Sequence, residues 1–338
     1  MIRLASIPSS LCLSILVAAC GDRPRPDIAA DSTRRNGPAV NDGFVSTGDS
    51  VRLYYRMVGS GPDTVIVLHG GPGFTADYLA PDLEPLAARH TLLFYDQRGT
   101  GKSTLVTDSA ALAGPRFAED VEAIRVHFGM DKVILLGHSW GSGVAALYGE
   151  RFPERVGKLI LVGSMPLTRK GLTDAFGELA SERDSAETRR MEEAMAARQA
   201  DPGNKEHCLA YYRIWFRPFF ADSTALDRSK GDFCAGTPES RRNKIASVDK
   251  YTFASLGDYD WRAVLGAVTA PALIIHGSKD VLPLEGAREY ARRLQDGRLL
   301  VLEGIGHFSY VEAPDRFFPA VNAFLAGGWP EGATVVRE

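Results

Sequence analysis

The chain has 338 residues, 45% hydrophobic and 24% charged, a balance typical of a globular protein with material for one sizeable core. Length alone permits one large domain or two smaller ones. Formal net charge is −3, from 39 Lys and Arg against 42 Asp and Glu, so no global basic field invites nucleic acid.

The N-terminus has its own signature. Arg3 gives a weak positive start, and the apolar run from Leu11 to Ala19 has the length of a signal-peptide core, too short to span a bilayer. It ends in Val17-Ala18-Ala19-Cys20, which resembles the bacterial lipoprotein box. That resemblance implies a signal peptide over 1–19 and lipidation of Cys20, anchoring the protein to a membrane in the cell envelope, facing the periplasm or exterior. An ordinary secretory signal with a chance cysteine is the alternative. No other apolar run is long enough to cross a membrane. Cys12 leaves with the signal and Cys20 takes lipid. Cys208 and Cys234 remain, in a compartment where disulfides persist, and are predicted to pair; two unrelated buried thiols are the alternative.

Residues 20–43 are rich in Pro, Asp, Arg, Asn and Gly and read as a flexible tether. Val51–Met57 then alternates as a half-buried strand does. Continuous apolar runs follow at Thr64–Leu68, Thr91–Tyr95, Lys132–Leu136, Lys158–Val162, Ala272–Ile275 and Leu299–Leu302, the mark of parallel strands covered on both faces. Helical patterns lie between them at Phe117–Phe128, Gly141–Arg151 and Leu284–Leu294. Strands alternating with helices predict an α/β fold with a mostly parallel, doubly wound sheet. Residues 166–267 break the rhythm. They hold a charged helical segment (Leu172–Arg198), an aromatic segment (Tyr211–Phe220) and a third helical pattern near Glu239–Asp249. This predicts a helical cap at 166–267, inserted into a core made of 44–165 and 268–328.

The strongest chemical motif is Gly137-His138-Ser139-Trp140-Gly141, between the Lys132–Leu136 strand and the following helix. That context suits a nucleophile elbow, a strained turn that exposes a serine hydroxyl at the top of a sheet. The residues two before and two after the serine must be small, and both are glycine. A serine hydroxyl needs a base, and the chain supplies an acid and then a histidine on post-strand loops: Asp280 in His276-Gly277-Ser278-Lys279-Asp280 and His307 in Gly304-Ile305-Gly306-His307-Phe308. Seven histidines compete; His127 falls on a helix, His207 in the cap, and His69, His138 and His276 at strand ends that could line the site. Glu303 rivals Asp280 but lies too close to His307 in sequence to approach it easily. His69-Gly70-Gly71-Pro72-Gly73 offers a backbone oxyanion donor; Gly71 is chosen, with the Trp140 N–H as the second, because Pro72 has no N–H. Asp96-Gln97-Arg98-Gly99-Thr100-Gly101-Lys102-Ser103 lacks P-loop spacing and reads as a rigid brace, with Asp96 and Arg98 structural.

HGGPG at 69–73, DQRGTGKS at 96–103, GHSWGS at 137–142, HGSKD at 276–280 and GIGHF at 304–308 resemble the proline iminopeptidase family of α/β-hydrolases. The resemblance implies the α/β-hydrolase fold, no cofactor or metal, and removal of an N-terminal residue, often proline, from a short peptide. It also implies catalytic roles for Ser139, Asp280 and His307 and oxyanion roles for Gly71 and Trp140. Members that bind a free amine commonly place a glutamate after a cap tryptophan; here Trp215 is followed by Phe216. Glu206, Asp222 and Asp232 are cap carboxylates that could substitute. Two rivals stand beside the peptidase reading: a carboxylesterase or lipase acting on small esters, favoured by the aromatic cap segment, and a non-catalytic surface binding protein on the same fold.

Overall fold

The computed structural model describes residues 40–337. The signal peptide, Cys20 and the tether as far as residue 39 lie outside the described residues. Among the described residues, no helix is long and apolar enough to cross a membrane.

Eight strands form one sheet: β1 (Val40–Ser46), β2 (Arg52–Val58), β3 (Thr64–Leu68), β4 (Thr91–Tyr95), β5 (Val133–His138), β6 (Val156–Val162), β7 (Pro271–Gly277) and β8 (Asp296–Leu302). Their spatial order is β1-β2-β4-β3-β5-β6-β7-β8. The pairs β1/β2 and β2/β4 are antiparallel and the rest parallel. Successive residues serve opposite faces, as a pleated strand requires. Ile66, Leu68, Leu93, Leu135, Leu159 and Ile274 enter one hydrophobic cluster, while Val65, Val67, Leu92, Leu136, Ile160 and Leu273 enter the other. Covering both faces is why these strands read as unbroken apolar runs.

One boundary needs correction. The sequence assigned residues 40–43 to the tether, but β1 begins at Val40, which pairs with Val58. This edge strand is polar and mostly exposed, so its composition matches a linker; backbone pairing with β2 gives it order.

The main helices of the core are α1 (Gly114–His127), α2 (Trp140–Arg151), α8 (Leu284–Arg293) and α9 (Pro314–Leu325). Between β6 and β7 the chain leaves the sheet for the helical excursion. A bridge pairing Thr168 with Asp260, and the Trp261 N–H donating to the Leu167 carbonyl at 2.9 Å, close its neck. Its first charged segment is two helices, α3 (Arg169–Ser181) and α4 (Ser185–Ala200). The break falls where Asp184 accepts from the Glu187 N–H at 2.7 Å, an N-cap followed three residues later by Glu. After α5 (Lys205–Trp215), helices α6 (Pro238–Asn243) and α7 (Asp249–Leu256) are joined by a π-helical turn at Lys244–Val248. Cys208 on α5 is bonded to Cys234, closing a loop 26 residues apart in sequence, which stabilises by about 3 kcal/mol in the chain-entropy model.

Candidate active site

The parallel strands place their carboxyl ends along one edge, where loops from β3, β5, β7 and β8 meet. Ser139 sits between β5 and α2 with φ 55° and ψ −120°, a strained conformation for a residue with a side chain. The flanking glycines explain how the turn closes. A Cβ on Gly137 would lie 2.6 Å from the Gly141 carbonyl oxygen, and one on Gly141 would lie 2.0 Å from that of Leu68. The Ser139 N–H donates to the Val162 carbonyl at 3.0 Å, and its carbonyl accepts from the Ser142 hydroxyl at 2.6 Å, so the strained turn is held from both sides.

His307 follows β8 and Asp280 follows β7. The two Asp280 oxygens lie 2.9 and 3.0 Å from His307 Nδ1, and both side chains are buried. An imidazole held through Nδ1–H leaves Nε2 to accept a proton. Burial pushes the Asp280 carboxyl upward, but His307, His276 and the Leu282 N–H outweigh it and hold it below the ordinary aspartate value. Glu303 is exposed and takes no part. The ring centroids of His307 and His138 are 4.6 Å apart, which puts His307 beside the residue preceding Ser139.

The HGGPG loop at 69–73 is ordered by its neighbours. The Gly70 N–H donates to the Tyr78 hydroxyl at 2.8 Å, while the Gly71 N–H, at φ 127°, has no bonding partner among the described residues. The Trp140 side chain is buried at 1% exposure, with its indole N–H donating to Gln97 at 3.0 Å. Gln97 also spans to His69: its backbone N–H donates to His69 Nε2 and its side-chain amide to the His69 carbonyl. His69 therefore supports the loop from inside the core. Burial drives its pKa down to about 4, so the ring stays neutral. Asp96 accepts from the Ala76 and Lys102 N–H groups, and Arg98 from within the core grips Asp120 and Asp49.

The other histidines fall elsewhere. His127 is exposed at the end of α1, His207 lies in the cap, and His276 donates from Nε2 to the Leu282 carbonyl at 2.9 Å behind Asp280. Among the described residues no group of three or more His, Cys, Asp or Glu side chains could hold a metal.

The chain belongs to the α/β-hydrolase fold family, whose sequence profile matches residues 63–314. This α/β-hydrolase is 28% identical over 295 residues to the proline iminopeptidase of Heyndrickxia coagulans, covering 84% of this chain and 98% of that protein. It superposes on the crystal structure of the proline iminopeptidase of Mycobacterium smegmatis with a TM-score of 0.63 at 24% identity, covering 85% of this chain and 98% of that one. It superposes on an esterase of Exiguobacterium antarcticum with a TM-score of 0.61 at 23% identity, covering 84% and 98%.

Several residues at this edge of the α/β-hydrolase had no role in the sequence reading. Gly163, at the end of β6 with φ 51°, faces the Asp280–His307 pair: a Cβ there would lie 2.7 Å from His307 Nδ1 and 3.1 Å from Asp280 Oδ2. A glycine directly after the strand beside the elbow strand was the available signal. Phe219, in the cap, accepts from the His307 backbone N–H at 2.7 Å, and no sequence signal marks that contact. Glu312 accepts from both the Gly306 and Asp222 N–H groups, a second tie between the His307 loop and the cap. The aromatic segment packs against Phe74, Phe233 and Phe308; Phe216 and Phe233 stack at 4.5 Å and Phe220 and Phe308 at 4.5 Å.

The cap carboxylates considered from sequence attend to their own neighbours. Glu206 is exposed, Asp222 caps Thr224 and pairs with Arg228, and Asp232 pairs with Lys205 at 2.6 Å. The cap carboxylate that does reach the HGGPG loop is Asp249, whose Oδ1 would lie 2.7 Å from a Cβ on Gly73. It is paired with Lys244 at 2.7 Å, and Lys244 Nζ also donates to the Pro72 carbonyl at 2.9 Å.

Proposed function

We propose that this α/β-hydrolase is a serine hydrolase working through an acyl-enzyme, and that it releases an N-terminal residue from short peptides as the proline iminopeptidases it resembles are named for doing. The observation that carries the chemistry is the buried Asp280–His307 pair beside a serine with φ 55° at the elbow. Nε2 of His307 takes the Ser139 proton as Oγ attacks the substrate carbonyl carbon. The Gly71 and Trp140 N–H groups receive the oxyanion. Collapse expels the amine, which takes the proton from His307. Water then attacks the acyl-enzyme with His307 again as base, and Ser139 is regenerated.

A second reading, an esterase acting on substrates without a free amine, is favoured by the state of Asp249. A carboxylate already neutralised by Lys244 has little left for a substrate ammonium, and a buried ammonium without a partner is costly. Hydrolysis of proline β-naphthylamide beside p-nitrophenyl butyrate, with Ser139→Ala as control, decides between them. Amide cleavage that depends on Ser139 supports the peptidase; ester cleavage alone supports the esterase. Neither activity, with no labelling by a fluorophosphonate, would leave the binding-protein reading and refute the first two.

We further propose that lipid on Cys20 anchors the enzyme at the cell envelope, on the Val17-Ala18-Ala19-Cys20 sequence. Intact mass of the membrane-extracted protein tests it: a mature N-terminus other than an acylated Cys20 refutes it.

A further inference from the structure

We infer that Tyr78 and His138 are positioning residues that fix the oxyanion loop and the base loop to each other through one buried, fully directed chain of hydrogen bonds. The inference rests on the serine-hydrolase reading of the site and names what holds its two halves in register.

The chain runs from the Gly70 N–H to the Tyr78 oxygen at 2.8 Å, from Tyr78 to His138 Nδ1 at 2.6 Å, and from His138 Nε2 to the His307 carbonyl at 3.2 Å. Each direction is determined. A backbone N–H only donates, so the Tyr78 oxygen accepts from Gly70 and its own proton is free to point at His138. A carbonyl only accepts, so His138 Nε2 carries hydrogen toward His307. His138 Nδ1 is then the bare acceptor for the tyrosine proton. This needs a neutral His138 and a protonated Tyr78, and burial pushes each that way: the histidine well below its ordinary value and the phenol above its own.

Both ends of this chain touch the reaction. Gly70 precedes Gly71, and with its N–H committed to Tyr78 the next N–H is left for an oxyanion. A Cβ on Gly70 would lie 2.6 Å from the Tyr78 oxygen and 3.2 Å from Ser139 Cβ, so Tyr78 and Ser139 both border the space over Gly70. At the far end His138 fixes the carbonyl of His307, while Phe219 fixes its N–H. The base is thus held by its backbone on both sides, independently of Asp280. The tyrosine is set by its own loop: Thr75 accepts from the Asp77 N–H at 3.3 Å to start the turn, and Phe233 stacks on the ring at 5.6 Å.

The test is Tyr78→Phe, which removes one oxygen and keeps the ring. With p-nitrophenyl butyrate the expected result is a fall in kcat of about 10–100-fold with KM unchanged, and a matching fall in the rate of fluorophosphonate labelling of Ser139. In ¹⁵N-histidine spectra of the wild type, one imidazole should stay neutral with hydrogen on Nε2 from pH 5 to 8, and lose that fixed tautomer in Tyr78→Phe. His138→Gln, which can accept on one side and donate on the other, should retain more activity than His138→Leu. Wild-type kcat and labelling rate in Tyr78→Phe would overturn the inference, as would a His138 with hydrogen on Nδ1. Failure of the wild type itself to label at Ser139 would instead sink the hydrolase reading on which it rests.

Discussion

The backbone N–H of His307 donates to the carbonyl of Phe219 at 2.7 Å, so the loop carrying the proposed base is held by a residue of the cap. On the other side of the site Lys244, also from the cap, donates to the Pro72 carbonyl in the proposed oxyanion loop. The cap therefore contacts the backbone of both loops on which the proposed chemistry depends, and its removal would loosen each.

Lys244 gives the cleanest access to this coupling. Its ammonium is buried, lies 4.5 Å from the Phe74 ring centroid, and is paired with Asp249. Lys244→Met removes the tie to Pro72 and strands Asp249 beside Gly73. Fluorophosphonate labelling of Ser139 should slow by about tenfold or more through misplacement of the oxyanion loop. Melting temperature should fall as well. Labelling at the wild-type rate would show that the loop holds itself.

Gly163→Ala adds a methyl where His307 Nδ1 and Asp280 already sit, at a positive φ that costs about 1–2 kcal/mol for a residue with a side chain. The methyl must displace the imidazole. Turnover should drop by about 100-fold, with a much smaller change in far-UV circular dichroism or overall fold. Equal kcat for mutant and wild type would mean that the base tolerates a shift of this size.

Asp280→Asn keeps the shape but loses the charge that stabilises imidazolium, and an amide can bind the wrong tautomer. A drop in kcat of about 10⁴-fold is expected, as for the same change in a serine-protease triad. The pH sign also follows. The folded Asp280 carboxyl lies below its ordinary value of 3.8, so its contribution to stability is fully present above that value and is lost only as pH falls below it. Any loss of stability between pH 7 and pH 5 should therefore have the same size in Asp280→Asn as in the wild type when measured by urea unfolding.

His69, like His138, is a buried ring that the folded state keeps neutral, so each weakens the fold at mild acidity. The folded pKa of His69, about 4, lies below the ordinary 6.5, so the folded state resists its protonation. Its contribution is present above 6.5 and is lost as pH falls from 6.5 towards 4, about 3 kcal/mol in all. In His69→Gln the fall in urea-unfolding stability from pH 7 to pH 5 should be smaller than in the wild type; an equal fall in both would contradict a neutral buried His69 ring.

Much of this protein was written locally. The apolar runs gave the parallel strands because burial on both faces leaves no polar positions to blur them, and the glycines around Ser139 announced a turn that no larger residue could close. Post-strand loops carrying Asp280 and His307 were legible for the same reason: the strands before them were. Other features depended on partners distant in sequence. Val40–Gly43 has no hydrophobic signal and becomes a strand only because β2 offers its hydrogen bonds. Nothing local distinguishes Asp249 from Asp222; the fold brings one to the oxyanion loop, together with a lysine that neutralises it, and leaves the other at the surface. Gly163, Phe219, Tyr78 and His138 acquire their places from contacts across strands, loop and cap. Periodicity and turn chemistry are properties of neighbouring residues and survive in a linear sequence, whereas hydrogen-bond direction, ion pairing and contact with a reacting side chain exist only once distant segments are packed together.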